Sequence, residues 1–122
     1  SSWPDASEAS SLTRLSLTGC GLDAVPAWVS RLPSLERLDL SGNQLRALPE
    51  SVGQLTSLET LSLRSNRLRA LPASLSGLVC LRRLDLRVNQ LQRVPAFLAQ
   101  MTSLESLLTM PQMRLEAPGA AE

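Results

Sequence analysis

The 122-residue sequence predicts an α/β chain. Its expected form is a right-handed solenoid with a short parallel β-sheet on the concave face and 3₁₀ or α turns on the convex face. Three observations carry this. A leucine-dominated skeleton returns every 23 residues, a period that marks stacked repeats. Inside each copy an L-x-L core alternates apolar and polar residues, as a short strand does. After the proline of each copy, apolar residues follow at a spacing that suits one tight turn.

The clearest copy runs from Leu58 to Pro72 and reads L-x-x-L-x-L-x-x-N-x-L-x-x-L-P. One period upstream the skeleton is Leu35, Leu38, Leu40, Asn43, Leu45, Leu48, Pro49. One period downstream it is Leu81, Leu84, Leu86, Asn89, Leu91, Val94, Pro95. The first copy, Leu12, Leu15, Leu17, Cys20, Leu22, Val25, Pro26, puts Cys in the Asn slot. On these residues the chain resembles leucine-rich repeat proteins. The Leu-Pro element and repeat length are similar to the intracellular subclass of Ras-pathway scaffolds and bacterial effectors. The resemblance implies a non-enzymatic protein–protein interaction module that binds on its concave face. The alternative it implies is the substrate-recognition part of a larger enzyme, such as an effector ubiquitin ligase or a kinase- or GTPase-linked protein.

In chain order, residues 1–11 read as a trailing half-repeat that covers the first open end. Ala6 and Ala9 there fall where Val29 and Leu32 sit one repeat later. Residues 12–34, 35–57, 58–80 and 81–103 are the full repeats, and the whole of 1–122 reads as one domain. Asn43, Asn66 and Asn89, with Cys20 in part, are expected to form a ladder. Their side chains would satisfy backbone groups of neighbouring turns that are otherwise buried unpaired. Pro49, Pro72 and Pro95 suit the start of the convex turns, where a missing N–H costs nothing. Trp28 and Phe97 hold equivalent positions in the outer full repeats and are expected to help cover the ends. Residues 104–122 read as a worn fifth repeat that keeps the register, with Gln112 in the Asn slot, Arg114 in the next Leu slot and Ala117 matching Val94. A strand is expected at about 106–109 and a poorly ordered tail after about 115.

Composition narrows the function. A formal charge of +1 argues against a global binder of nucleic acid or acidic membrane. No apolar run approaches the roughly 20 residues of a membrane span, and the first residues lack the basic and apolar regions of a signal peptide. Two cysteines without clustering, and no N-x-S/T sequon, favour a reducing, cytoplasmic compartment; for a bacterial effector that would be the host cytoplasm. His is absent, which removes an imidazole base, a Ser–His or Cys–His pair and a His metal ligand. Asp39 and Asp85, two repeats or roughly 10 Å apart, have no partner base and no pocket to raise a carboxyl pKa. No catalytic set, metal or cofactor is expected. Cys20 and Cys80 fall too far apart in register for a disulfide, whose Cα atoms lie within about 7 Å.

The outward strand positions form three columns: Arg14, Arg37, Thr60, Arg83, Ser106; then Ser16, Asp39, Ser62, Asp85, Leu108; then Thr18, Ser41, Arg64, Arg87, Met110. Two readings of the charges stand side by side. They could be solvated ion pairs, Arg37 with Asp39 and Asp85 with Arg83 and Arg64, contributing about 0–1 kcal/mol each. They could instead be a basic strip for an acidic protein segment, since Arg binds carboxylates bidentately. The apolar end, Val88, Leu108, Met110 and Met113, is either covered by further chain or an anchor point for the partner. A protein partner with acidic and some apolar groups follows. The lack of stacking aromatics disfavours nucleic acid, and open apolar ends allow end-to-end self-association.

Overall fold

The computed structural model describes residues 11–109 and 114–115. Five short strands lie side by side in chain order: β1 (Arg14–Ser16), β2 (Arg37–Asp39), β3 (Thr60–Ser62), β4 (Arg83–Asp85) and, after an intervening lateral strand, β6 (Ser106–Leu108). All pair in parallel, with Arg14, Arg37, Thr60, Arg83 and Ser106 in one row. Each strand advances the chain by one period and the sheet by one strand, so the sequence period is the sheet register.

On the opposite side four 3₁₀ turns follow the prolines: Ala27–Arg31, Glu50–Gln54, Ala73–Gly77 and Ala96–Gln100. Each begins after Pro26, Pro49, Pro72 or Pro95, and none has a side-chain cap. Proline pre-sets φ near the value such a turn needs and forfeits only an N–H that has no partner there. Close stacking of these turns needs small residues. A Cβ on Gly53 would run into the carbonyl oxygen of Ser74 one repeat on.

The core is one continuous leucine cluster between sheet and turns. Leu35, Leu58 and Leu81 are sealed, as are Leu38, Leu61 and Leu84, while the equivalent Leu12, Leu15, Leu104 and Leu107 of the outer coils are half-buried. A single coil has one layer of leucines and cannot shield both sides of it. Burial of each leucine, about 1.5–3 kcal/mol, is therefore supplied by the coils on either side.

The asparagines close this stack. Asn66 Nδ2 donates to the Leu40 carbonyl at 2.9 Å and to the Leu63 carbonyl at 3.0 Å, while its Oδ1 accepts the Leu45 N–H at 3.1 Å. Asn43 and Asn89 repeat the pattern toward the preceding coil. Cys20 behaves differently from the asparagines. Among the described residues its Sγ reaches only the Thr18 carbonyl, at 3.8 Å, and its own N–H donates to Asn43 Oδ1. The slot after the strand, one residue before the ladder residue, is left-handed in every full repeat: Gly19, Gly42, Ser65 and Val88 have φ of 66°, 72°, 61° and 57°. Glycine adopts this freely, whereas a β-branched valine there is strained.

A second, two-stranded sheet was not expected. β5 (Arg93–Val94) pairs in parallel with β7 (Arg114–Leu115), setting Val94 against Leu115. That offset is 21 residues, so the fifth coil keeps the register through β6 and slips by two residues before β7: Leu115, not Ala117, stands opposite Val94. The shift puts an apolar residue in the row of buried Val94. β6 falls where a strand was expected. The proposed half-repeat at 1–11 lies outside the described residues except for Ser11, and the tail after 115 lies outside them entirely. Among the described residues no helix is long and apolar enough to cross a membrane.

Candidate functional site

The concave surface is built by alternation. In each three-residue strand the central leucine points into the core and its neighbours point out, so the columns of β1–β4 and β6 form one face held by the parallel ladder. Arg14, Arg37, Arg64 and Arg83 are exposed on it, while Asp39, Asp85 and Arg87 are half-buried.

The carboxylates bond within their own coil. Asp85 takes a bidentate ion pair from Arg87, with Nε at 3.0 Å from Oδ1 and an Nη at 2.9 Å from Oδ2, and it also accepts the Arg87 backbone N–H at 3.1 Å. Asp39 does the same for Ser41, accepting its N–H at 3.0 Å and its hydroxyl at 2.6 Å. The expected pairs Arg37–Asp39 and Arg83–Asp85 do not form. A carboxylate two residues before the turn folds back on the N–H two residues on, an Asx-type closure that turns it away from the arginine two residues before it on the same strand. Partial burial pushes the Asp85 carboxyl up. The hydrogen bonds from the Arg87 side chain and N–H, with the charges of Arg87 and Arg64, outweigh it and hold the group below the usual carboxylate range.

Arg87 is thus neutralised in place, and the cations left to face solvent are Arg14, Arg37, Arg64 and Arg83. Beside the face, Arg82 pairs with Glu105 at 3.1 Å. Toward the C-terminal side a depression of about 430 Å³ brings Thr60, Ser62, Arg83, Asp85, Glu105, Ser106 and Leu108 together. Leu108 is 41% exposed and Val88 48% exposed. Arg14 and Arg37 lie at the other end of the columns, away from this depression, and Met110 and Met113 lie outside the described residues. Trp28 and Phe97, expected to help cover the ends, are half-buried against the core, and the terminal segments beyond them lie largely outside the described residues. Cys20 and Cys80 are free and exposed. No group of three or more His, Cys, Asp or Glu side chains is arranged to hold a metal among the described residues.

Sequence reasoning passed over a second set of arginines. Arg46, Arg67 and Arg69 follow the ladder asparagines by one or three residues and leave the face sideways. With Gln90 they line a depression of about 460 Å³. Their signal was present in the repeat alignment, in columns next to those of the strands.

A chain of stacked coils with leucine layers, an asparagine ladder and an exposed parallel sheet defines a repeat protein of the solenoid class. The leucine rich repeat family profile matches residues 10–68 and, overlapping, 33–91. The chain belongs to that family, a common protein–protein interaction module. No curated protein sequence matches it. Among solved structures it is similar to a leucine-rich repeat protein of Leptospira interrogans, at 28% identity and a TM-score of 0.70 over 84% of this chain and 32% of that one. It also shares its fold with an internalin of Listeria monocytogenes, at 24% identity and a TM-score of 0.64 over 76% of this chain and 27% of that one. The chain therefore spans about a third of the length of these two proteins.

Proposed function

We propose that the concave face binds a segment of another protein through carboxylates on that segment and one apolar side chain. The chain supplies recognition and no catalytic step. The observation that carries this is the depression where Arg83, Asp85 and the exposed Leu108 meet on the parallel sheet. An exposed leucine beside an arginine that makes no direct ion pair combines an anchor with a charge partner, and Glu105, which shares the depression and feels the charge of Arg83, is held by Arg82. Arg64, one strand back and exposed, extends the charged side of this contact. Arg87 contributes less than its position in the column implies, because Asp85 already occupies its fork. In a longer protein the same face would serve as the recognition element for whatever the remaining chain does.

The test begins with a partner captured by the wild-type chain and then purified. Its affinity is measured by biolayer interferometry against Arg64→Glu/Arg83→Glu and against Leu108→Ser. Each variant should weaken binding about tenfold or more. Affinity unchanged in both would refute the concave reading.

A further inference from the structure

The flank beside the ladder carries charge that the concave face does not account for. Arg46, Arg67, Arg69 and Arg93 are all exposed. Among the described residues the ion pairs are Arg82–Glu105 and Arg87–Asp85, and none of the four flank arginines takes part. Three of them share one depression with Gln90, and no described carboxylate lines it. Gln90 Oε1 accepts Arg69 Nε at 3.2 Å, which orients that guanidinium. From Arg69 and Gln90 a second groove of about 690 Å³ continues to Arg93, with Leu71, Leu91, Pro95 and Phe97 also lining it. Like charges gathered this closely repel one another, and an anion laid across them relieves the repulsion.

We infer that this flank is a second docking surface, separate from the concave face, for an extended acidic peptide segment carrying one apolar side chain. Charge complementarity selects the acid. The second groove selects the peptide: its leucine, proline and phenylalanine lining has no use for a free phosphate, which would engage only the arginine half. From Arg46 to Arg93 is two coils, about 10 Å, which about three residues of extended chain span at roughly 3.3 Å each. A carboxylate at one end of such a stretch meets Arg46 and Arg67, one in the middle meets Arg69, and an apolar side chain settles toward Phe97. Guanidinium forks accept carboxylates bidentately, so the segment is held in a defined register.

Fluorescence anisotropy with fluorescein-labelled Asp-Glu-Glu-Leu-Asp-Glu tests this at about 0.15 M salt, where charges more than about 8 Å away are largely screened. The full chain should bind it. Arg46→Glu/Arg67→Glu/Arg69→Glu should weaken binding about tenfold or more. Arg14→Glu/Arg31→Glu/Arg37→Glu, which changes net charge equally, should stay within about twofold, and the flank loss should persist in the Arg64→Glu/Arg83→Glu background, which removes any binding of the same peptide to the concave face. Replacing the peptide leucine by serine should weaken binding about threefold. Circular dichroism confirms that each variant is folded, and Arg46→Gln/Arg67→Gln/Arg69→Gln replaces any glutamate variant that is not. The inference is overturned by no binding to the wild type, equal loss in the charge-matched variant, indifference to the leucine, or tighter binding of a single-stranded oligonucleotide or of phosphoserine in place of the peptide. Loss confined to Arg64→Glu/Arg83→Glu would move the site to the concave face.

Discussion

The asparagine ladder makes a quantitative prediction because its carbonyls are shared. The Leu40 carbonyl accepts from both Asn43 and Asn66, each at 2.9 Å. The Leu63 carbonyl accepts from both Asn66 and Asn89. Replacing Asn66 by Ala therefore leaves each of these oxygens one partner. What it orphans is the Leu45 N–H, on a residue with no exposed surface. An unsatisfied buried donor costs about 1–3 kcal/mol, and with the three bonds donated by Asn66 Nδ2 also lost the single variant should lose about 2–4 kcal/mol. Asn43→Ala strips the Leu17 carbonyl of its ladder donor and frees the N–H groups of Cys20 and Leu22, which are only part-buried. The double variant also leaves the Leu40 carbonyl without either donor. It should therefore lose more than the sum of the singles, by about 1–3 kcal/mol for that newly unsatisfied group. Asn43 and Asn89 share no carbonyl, so the corresponding double variant should be additive within about 0.5 kcal/mol. Urea unfolding followed by circular dichroism gives all six free energies. Equal coupling in the two cycles would refute the claim that adjacent asparagines jointly hold one oxygen.

Other variants test separate parts of the molecule. Val88→Gly should stabilise the fold by roughly 0.5–1 kcal/mol, because relief of a left-handed valine exceeds the added chain entropy; a fall in the urea midpoint would contradict the strain. Gly53→Ala should destabilise by about 1–3 kcal/mol through the Ser74 carbonyl, and an unchanged melting temperature would show that the turns can part. The Asp85 carboxyl has a lowered folded-state pKa. Its stabilising contribution is therefore present above the unfolded value and lost as pH falls through the folded one. In stability measured from pH 5 downward, Asp85→Asn should flatten part of the acid-side loss. An NMR titration that places Asp85 at or above the usual carboxylate value would reverse the sign.

The repeat skeleton was legible because each of its residues has a single task, stated by type and spacing. Leu38, Leu61 and Leu84 mark strand centres, Asn43, Asn66 and Asn89 the ladder, and Pro49, Pro72 and Pro95 the turn starts. The side-chain partners of the concave aspartates were not legible in the same way. The column alignment set Asp85 between Arg83, Arg87 and Arg64, and only the local backbone conformation singled out Arg87. The shift at β7 was hidden for a related reason. In the worn coil both Leu115 and Ala117 were available for the slot of Val94, and period alone chose the alanine. The left-handed slot could have been read from Gly19 and Gly42, yet Ser65 and Val88 in the later copies obscured it. Arg46, Arg67 and Arg69 escaped notice because the period was used to find strands, and its neighbouring columns were not followed around the coil.

The ladder also has a direction, which accounts for the cysteine. Each asparagine sends its amide back to the coil before it, so Asn43 serves Leu17, Cys20 and Leu22 while Asn66 serves Leu40 and Leu45. A residue in this slot therefore matters chiefly to the coil preceding it. On its own coil it adds a bond to the carbonyl three residues back, and for position 20 that carbonyl, of Leu17, already receives Asn43 Nδ2. Cys20 can be small and nearly idle because its own coil is closed from the next one. Cys20→Ala should accordingly leave stability within about 0.5 kcal/mol of wild type, whereas Asn43→Ala, one coil on, should loosen the turn at Cys20–Leu22 and raise amide exchange there. Should Cys20→Ala prove as damaging as Asn43→Ala, the ladder would have to be supporting coils in both directions, and the backward-only geometry of the amides would not describe what holds the stack.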